Sequence, residues 1–194
     1  MKKLCAIYPN LNPSDSLAYF LGAFLGDGAI DSKNYRIDLS VKSKEFAFAF
    51  MQSLKEIGAH PWVYYRRDDY RYSVRVKSKV LCNWLLSLSL SDIKNMLLGD
   101  TSLIISFIRG FYDAEGSFNR SSKVVFFWNS NQEILILIRD LLDSLGFKST
   151  IHLHNRKNGF SERQMYYLYL RGGKKITKKF LELINPSISS KNWG

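Results

Sequence analysis

The segments FLGAFLGDG at Phe20–Gly28 and IRGFYDAEG at Ile108–Gly116 share one pattern, an apolar helix that ends in an acid followed by glycine. Residues four apart lie on the same helix face, so small residues at that spacing would allow the two helices to pack closely. Such packing would bring the final acids, Asp27 and Glu115, side by side. The small residues are Ala18, Gly22 and Gly26 in the first helix and Ser106, Gly110 and Ala114 in the second.

A pair of carboxylates at two helix ends is electrostatically unfavourable without a positive partner. The C-terminus of a helix carries about half a negative charge, and neighbouring carboxylates repel each other. A divalent cation would remove both penalties, and Mg²⁺ commonly combines one or two carboxylates with water and phosphate oxygens. The pattern therefore indicates metal-dependent phosphate chemistry. The simpler interpretation of either copy is a helix stop at a left-handed glycine, but two copies with matched small residues favour the paired site.

The composition is that of an ordered, basic protein. Of the 194 residues, 46% are hydrophobic and 14% aromatic, which is sufficient for a buried core. The formal net charge of +11 favours a polyanionic partner, nucleic acid before a membrane surface. No apolar run has the length that a bilayer requires, and no secretory signal is recognisable. Cys5 and Cys82 form no metal or redox spacing, which is typical of a reducing, intracellular setting.

The chain consists of two copies of one unit. The offset that separates the two acids also pairs Glu45 with Glu133 and Leu54 with Leu142 without a gap. Neither copy would cover its small-residue helix alone, so we expect a single pseudo-twofold protein. We predict a first repeat at residues 1–90, a linker at 91–101 and a second repeat at 102–194 that ends in a solvated tail over 185–194.

Hydrophobic periodicity predicts the elements of each copy as helix, strand, helix, hairpin and helix. In the first copy these are Ser14–Asp27, Tyr35–Lys42, Lys44–Ile57, the hairpin Trp62–Arg67 with Tyr70–Lys77, and Val80–Leu90. In the second copy, which runs from Ser102 to Ile184, they include the helix Glu133–Leu145 and the hairpin Thr150–Asn155 with Met165–Arg171, joined through Lys157–Gly159.

Alternation along these strands separates a core face from a polar face. A basic antiparallel ribbon with aromatic residues is suited to the major groove of DNA, where arginine binds guanine or phosphate. A solvated sheet surface is the alternative for any single residue. The candidate DNA-binding residues are Arg36, Asp38, Ser40, Lys42, Trp62, Tyr64, Arg66, Arg71, Ser73, Arg75 and Lys77 in the first copy, and Thr150, His152, His154, Tyr167, Tyr169 and Arg171 in the second.

Two features of the second copy stay open. The strand Val124–Trp128 does not alternate, so its facing is not determined by the pattern. His152 and His154 share one strand face and could bind a metal ion, but no third ligand is in view. A surface or DNA-facing position is the better interpretation of both histidines.

The two motifs and the repeat resemble the LAGLIDADG homing endonucleases, specifically the single-chain type with two motif copies. IRGFYDAEG is the closer match, whereas FLGAFLGDG has Leu25 at the position of Asp113 and keeps only the final acid. The resemblance covers nearly the whole chain and implies an α+β fold. Two pseudo-symmetric αββαββα units would form saddle-shaped antiparallel sheets around a central pair of motif helices. It also implies a monomer that cleaves both strands of DNA at a specific, asymmetric target of roughly 20 base pairs, about one helical turn for each sheet.

The resemblance assigns roles to individual residues. Asp27 and Glu115 correspond to the metal-binding acids, and the carbonyls of Gly26 and Ala114 to further ligands of Mg²⁺. Mn²⁺ would serve in its place, whereas Ca²⁺ would bind without supporting cleavage. The basic residues implied near the scissile phosphates are Lys79 and either Lys174 or Lys175.

The family also places a polar residue after the first sheet strand. That residue is Asn129 in the second copy but Val41 in the first, where Lys42 would substitute. Asp113 is interpreted as a helix-surface residue rather than an acid near the metal.

Two other functions fit the same basic surface. An RNA-splicing maturase would have its own intron RNA as partner. A non-catalytic DNA-binding regulator would not require the paired acids, so their retention favours a nuclease. The target sequence and the host gene are left open.

Overall fold

The computed structural model describes residues 8–154 and 164–193, which form two halves of similar construction. The first half contains α1 Asp15–Asp27, β1 Gly28–Asp31, β2 Arg36–Val41, α2 Lys44–Glu56, β3 Trp62–Arg66, β4 Arg71–Lys77 and α3 Lys79–Ser87. A helix between the halves is α4 Leu90–Leu97. The second half contains α5 Thr101–Glu115, β5 Gly116–Asn119, β6 Val124–Asn129, α6 Gln132–Ser144, β7 Ser149–His154, β8 Met165–Leu170 and α7 Gly173–Ile184, followed by a short 3-10 turn at Ser189–Lys191.

The two sheets have the same topology. Each has four antiparallel strands, in the order β1-β2-β4-β3 in the first half and β5-β6-β8-β7 in the second. Because β1 follows α1 and β5 follows α5, each half has the order αββαββα. The predicted α+β fold with two pseudo-symmetric units around a central helix pair is confirmed.

The two motif helices begin at side-chain caps. The hydroxyl of Ser14 accepts a hydrogen bond from the backbone N–H of Leu17 at 3.2 Å. The carboxylate of Asp100 accepts one from the N–H of Ser102 at 2.8 Å. Both caps satisfy backbone donors that have no partner inside a helix, and they fix where each motif helix starts.

The glycines after the two acids do not adopt the left-handed conformation of a helix stop. Gly28 and Gly116 have extended backbones, with φ of −77° at each, and they open β1 and β5. A methyl group on Gly28 would overlap the ring of Phe24, and one on Gly116 would overlap the ring of Tyr112. Glycine is therefore required by close approach to an aromatic ring one turn earlier, not by a positive φ.

The motif helices touch at the level of their backbones. A methyl group on Gly22 would overlap the carbonyl oxygen of Phe107 in α5, and one on Gly110 would overlap the carbonyl oxygen of Tyr19 in α1. The two contacts are reciprocal, as a pseudo-twofold axis between the helices requires. The predicted packing along the small residues is confirmed.

The core lies between the sheets and the helices that cover one face of each. In the first sheet Ile37, Leu39, Val74 and Val76 are buried, so the core face follows the alternation read from the sequence. Tyr35 and Tyr70, expected at strand starts, instead lie in turns with φ of 48° and 55°. The alternation is therefore correct within β2 and β4 and wrong at the predicted first residues of both strands, while Tyr65 in β3 and Leu153 in β7, expected on the core face, are exposed.

Three other segments were missed or wrongly predicted from the sequence, namely the strands β1 and β5 and the predicted linker. The short strands β1 and β5 have too few residues to show a period. The residues expected to form a linker contain most of α4, which begins with a capping box between Ser89 and Asp92. Cys5, Asn155 and the loop Lys157–Gly159 lie outside the described residues.

Across the described residues, the helices are all too short or too polar to span a bilayer.

The glycine contacts predict that an added methyl group will destabilise the fold. Gly110→Ala should lower the free energy of unfolding by about 1–3 kcal/mol, because the helices must move apart. This loss opposes the gain of about 1 kcal/mol that alanine normally brings to a helix. Thr101→Ala, at an exposed position of the same helix, is the matched control. Chemical denaturation measures both, and equal stability of Gly110→Ala and wild type would contradict the backbone contact.

Candidate active site

Two carboxylates meet where the motif helices end. Asp27 is the last residue of α1 and Glu115 the last residue of α5. The helix ends are in contact, since a methyl group on Gly26 would overlap the side chain of Ala114 and lie 2.9 Å from Cγ of Glu115. The structure thus brings together the four residues that the family resemblance assigned to a metal site.

The surroundings of the pair favour a protonated acid. Burial, followed by the charge of Asp27, raises the pKa of Glu115 to about 7. Burial also raises the pKa of Asp27, against the charges of Lys191 and Arg71, which lower it. The two carboxylates therefore repel each other in a partly dry environment, and a cation placed between them would relieve that repulsion.

An amide orients Glu115 from within the second half. Asn129 ends β6 and is buried, and its Nδ2 donates to Oε1 of Glu115 at 2.9 Å. Its Oδ1 accepts a hydrogen bond from the backbone N–H of Asn131 at 2.8 Å. The corresponding residue in the first half, Val41, offers no hydrogen bond. The two acids are thus held differently.

A cavity of about 240 Å³ opens beside Asp27. The cations Lys42, Arg71 and Lys191 line it together with Asp27. The guanidinium of Arg71 donates to the carbonyl of Ser40 at 3.0 Å, which directs the side chain along the sheet. Lys42 lies on the Asp27 side, where the sequence places a substitute for the missing polar residue. Asp113 is also part of the lining, so three cations face two acids, and this excess of positive charge suits a phosphate better than a neutral ligand.

Lys191 is a site residue that the sequence does not reveal. Its ammonium donates to the carbonyl oxygens of Tyr112 at 3.1 Å, Asp113 at 2.7 Å and Ala114 at 3.4 Å. These carbonyls belong to the last turn of α5, where that of Tyr112 also accepts from the backbone N–H of the C-cap Gly116. Because the segment around Lys191 has no periodic pattern, it resembles a solvated tail in sequence. That prediction is wrong, since Trp193 in the same segment also packs on a ring of β5.

Asp113 is buried, so its interpretation as a helix-surface residue is wrong. It is 1% exposed. Its carboxylate accepts hydrogen bonds from the hydroxyl of Tyr19 at 2.7 Å and from the backbone N–H of Ser187 at 2.9 Å. Tyr19 belongs to α1 and Ser187 follows α7, so Asp113 joins both motif helices to the C-terminal segment. Asp113 lines the cavity beside Asp27, but both of its carboxylate oxygens already accept hydrogen bonds, so its role here is structural.

The three lysines expected near the scissile phosphates do not contact the paired acids. Lys79 begins α3, and its ammonium lies 5.3 Å from the centre of the ring of Tyr35. Lys174 and Lys175 are exposed in the first turn of α7. Within the described residues, none of the three forms a hydrogen bond or ion pair with either acid. Their role at the phosphates stays a prediction.

The donors at the helix ends fit a hard divalent cation that also takes water and phosphate oxygens. The paired acids and the carbonyls of Gly26 and Ala114 offer only oxygen, as Mg²⁺ prefers. Within residues 8–154 and 164–193, no three or more His, Cys, Asp or Glu side chains cluster as a metal cage. Within these residues, His152 and His154 therefore have no third His, Cys, Asp or Glu close enough to complete a metal site.

The polar face of the first sheet carries the candidate residues of the first half. Asp38 accepts from Nε of Arg36 and from Nε of Arg75, each at 2.6 Å. Arg75 also lies 4.9 Å from the centre of the ring of Tyr64. Ser73 is 3% exposed and is therefore covered by its neighbours. The register places on this face Arg36 beside Lys77, Asp38 beside Arg75, Ser40 beside Ser73, Trp62 beside Arg75, Tyr64 beside Ser73 and Arg66 beside Arg71.

The corresponding face of the second sheet is aromatic. Val125 and Phe127 are buried, which settles the facing of β6 and places Phe126 and Trp128 on the polar side. The rings of Trp128 and Tyr167 lie 5.1 Å apart. The remaining members of this aromatic face are Tyr169, His152 and His154, with Thr150 beside Tyr169 and Arg171 just past the end of β8.

Comparison with known proteins places this arrangement in one class. Residues 102–185 match the LAGLIDADG-like domain, and residues 16–87 match the WhiA LAGLIDADG-like domain. The fold, the duplicated motif and the paired acids are those of the LAGLIDADG proteins with two motif copies in one chain.

The chain belongs to the LAGLIDADG homing endonuclease family. The homing endonuclease I-DmoI of Desulfurococcus mucosus is 30% identical over 165 residues, which cover 79% of this chain and 82% of that protein. An uncharacterized protein of Methanocaldococcus jannaschii is 35% identical over 166 residues, covering 78% of this chain and 63% of its own length. This chain therefore spans less than two thirds of the latter relative.

Solved structures give the same result. Variants of I-DmoI superpose with a TM-score of 0.64 at 28% identity, over 88% of this chain and 94% of theirs. I-DmoI in complex with DNA and Mn superposes with a TM-score of 0.63 at 26% identity, over 88% of this chain and 96% of that one. Full-length WhiA shares the fold, with a TM-score of 0.66 at 18% identity over 89% of this chain and 55% of its own.

The raised pKa of Glu115 predicts a stability that falls with pH in the absence of divalent cations. The carboxyl ionises near its ordinary pKa of 4.5 in the unfolded chain but near pH 7 in the folded protein. Between these values the folded state binds more protons, so the free energy of unfolding decreases as pH rises. We expect Glu115→Gln to remove part of this decrease in melting temperature, measured in EDTA.

The exposed Glu182→Gln on α7 is the control for this measurement. It should follow the wild-type pH dependence. A Glu115→Gln variant that loses stability with pH as steeply as the wild type would contradict the raised pKa.

Proposed function

We propose that the protein is a site-specific endonuclease that hydrolyses phosphodiesters in both strands of DNA with the help of a divalent cation. The observation that carries this proposal is the pairing of Asp27 and Glu115 at the ends of two helices in backbone contact. The relative I-DmoI has been crystallised in complex with DNA and Mn and with DNA and Ca. Mg²⁺ is the cation that the donor set favours, with Mn²⁺ as a substitute and Ca²⁺ as an ion that binds without supporting cleavage.

The residues around the acids would position a DNA backbone rather than form a covalent intermediate. Asp27 and Glu115 would hold the cation, and the hydrogen bond from Asn129 fixes the carboxylate of Glu115. Lys42 and Arg71 line the cavity beside Asp27, where they would attract a phosphate. A bound divalent cation would neutralise the scissile phosphates and activate water. Lys79 with Lys174 or Lys175 would add positive charge farther along the backbone.

The unlike sheet faces support an asymmetric target. The first face presents arginines that can bind guanine, whereas the second presents rings that can contact thymine methyl groups. Each sheet would cover about one helical turn, for a target of roughly 20 base pairs. Because one chain supplies both halves and both acids, we propose that it acts as a monomer on double-stranded DNA.

A non-catalytic DNA-binding regulator is the second candidate. Two observations favour it: the first repeat matches the WhiA type of domain, and Val41 leaves Asp27 without the amide that orients Glu115. Both candidates would bind duplex DNA, so cleavage separates them. An RNA-splicing maturase would instead bind its intron RNA more tightly than any duplex.

Substitution of the acids tests the chemistry. Asp27→Asn and Glu115→Gln should each abolish double-strand cleavage while specific DNA binding is largely retained, because they remove cation ligands and not sheet contacts. The substrate is a randomised duplex library incubated with Mg²⁺ or with EDTA, and cut sites are identified by sequencing. The exposed Glu182→Gln is the matched control and should cleave like the wild type. Full cleavage by either acid variant would refute the assignment, and specific binding without cleavage by the wild type would favour the regulator.

Substitutions on the two faces of β4 test recognition. Arg75→Ala should weaken DNA binding with little effect on folding, whereas Val74→Ala should destabilise the protein because Val74 is fully buried. Loss of a guanine contact should cost about 1–3 kcal/mol and relax the preference at one base pair, while loss of a phosphate contact should lower the salt dependence for all sequences. The exposed Arg139→Ala on α6 is the control. Unchanged affinity of Arg75→Ala would refute a DNA-facing sheet.

A further inference from the structure

The residues after α7 fold back over the end of α5 and add a cation to the paired-acid site. Asp113 anchors this segment, since its carboxylate accepts from the backbone N–H of Ser187. The 3-10 turn Ser189–Lys191 then places the ammonium of Lys191 within hydrogen-bond distance of the last-turn carbonyls of α5. The position of Lys191 is therefore held by the backbone and not only by its own flexible side chain.

The ammonium lies among several negative groups of the site. It donates to three carbonyl oxygens, including that of Ala114 at 3.4 Å. It also interacts with the charges of Asp113, Asp27 and Glu115. The negative end of the α5 dipole, the carbonyls and the carboxylates all favour a cation at this point.

This contact breaks the pseudo-twofold symmetry of the site. The end of α1 is the symmetric counterpart of the end of α5, yet within the described residues no lysine or arginine side chain donates to the last-turn carbonyls of α1. Lys191 also lines the cavity beside Asp27 with Lys42 and Arg71. Lys42 and Arg71 thus lie on the Asp27 side and Asn129 donates to Glu115, while Lys191 lies near both acids.

We propose that Lys191 is a tethered cation that caps the end of α5, with its shortest hydrogen bond to the carbonyl of Asp113, and that it thereby competes successfully with a divalent ion for the neighbouring carbonyl of Ala114 in the free protein. This inference rests on the proposed function and assigns different ligands to the two sides of the proposed site. The Asp27 side would hold a DNA phosphate with Lys191, Lys42 and Arg71, and the divalent cation would be bound chiefly through Glu115. Lys191 is a positioning residue that sets where the metal ion and the phosphate lie.

Calcium binding to the free protein tests this inference without DNA. Lys191→Met removes the charge and frees the carbonyl of Ala114, so Ca²⁺ should bind at least about tenfold more tightly by isothermal titration calorimetry. Lys191→Gln should have the same effect, whereas Lys191→Arg keeps the charge and should bind as the wild type does. Lys178→Met, a change of the same kind on the exposed face of α7, should leave Ca²⁺ affinity unchanged. Wild-type affinity in both folded neutral variants would overturn the proposal.

A second measurement needs no substitution and so does not depend on whether the variants fold. Lysine acetylation of the wild-type protein, followed by mass spectrometry, should label Lys191 much more slowly than Lys178. Saturating Ca²⁺ should not speed that labelling, because the ammonium keeps its carbonyls. Labelling of Lys191 that rises to the rate of Lys178 with Ca²⁺ would show that the ion displaces it, and would also overturn the proposal.

Cleavage assays then separate this inference from the proposed function. On a duplex target, Lys191→Met should accumulate nicked product, since it alters one side of the site more than the other. Equal rates on the two strands together with unchanged Ca²⁺ affinity would reject the inference while the nuclease stands. Absence of cleavage by the wild type would reject the nuclease, whereas the calcium and labelling results would still decide the position of Lys191.

Discussion

Contact between the backbones of α1 and α5 sets the geometry on which every other feature of the protein depends. Gly22 and Gly110 allow each helix to lie against a carbonyl of the other, and this contact fixes both the separation of the sheets and that of the acids. A longer side chain at either position would force the two helices apart. The spacing of the paired acids and the overall fold thus depend on the same few atoms, so the motif contributes both to packing and to the candidate site.

Because the helix ends are close together, the carboxylates of Asp27 and Glu115 repel each other, and the groups that surround the two acids differ. Burial raises the pKa of both acids and the charge of Lys191 lowers both, but Glu115 is also oriented by the uncharged amide of Asn129, whereas Asp27 has the further cation Arg71. A symmetric site would have two equivalent acids. In this one an amide donates to Glu115, while Lys42 and Arg71 lie beside Asp27, and the two sheet faces are likewise unlike, one basic and one aromatic.

Most of the architecture could be predicted from the sequence because it is encoded locally and twice. The repeat, the small residues and the alternation in β4 identified the halves, the helix contact and the core face. What failed depends on contacts between distant segments. The sequence shows Asp113 only as a polar residue on a helix, because its hydrogen bonds with Tyr19 and Ser187 join distant segments. Lys191 likewise cannot be distinguished from the other lysines, because its contacts with α5 form only when the C-terminal segment folds back. Short strands such as β1 have no period to detect.

The carboxylate of Asp113 has a consequence for the order in which the protein assembles. Its partners are Tyr19, near the start of the described chain, and Ser187, which follows every α-helix and strand. During synthesis, a chain emerges from its N-terminus and folds as its segments become available. Both sheets can therefore form while Asp113 still lacks one partner and the end of α5 lacks its ammonium. The polar interior of the helix pair is completed last, so a nascent chain would hold both of its sheets before the surroundings of its paired acids are complete.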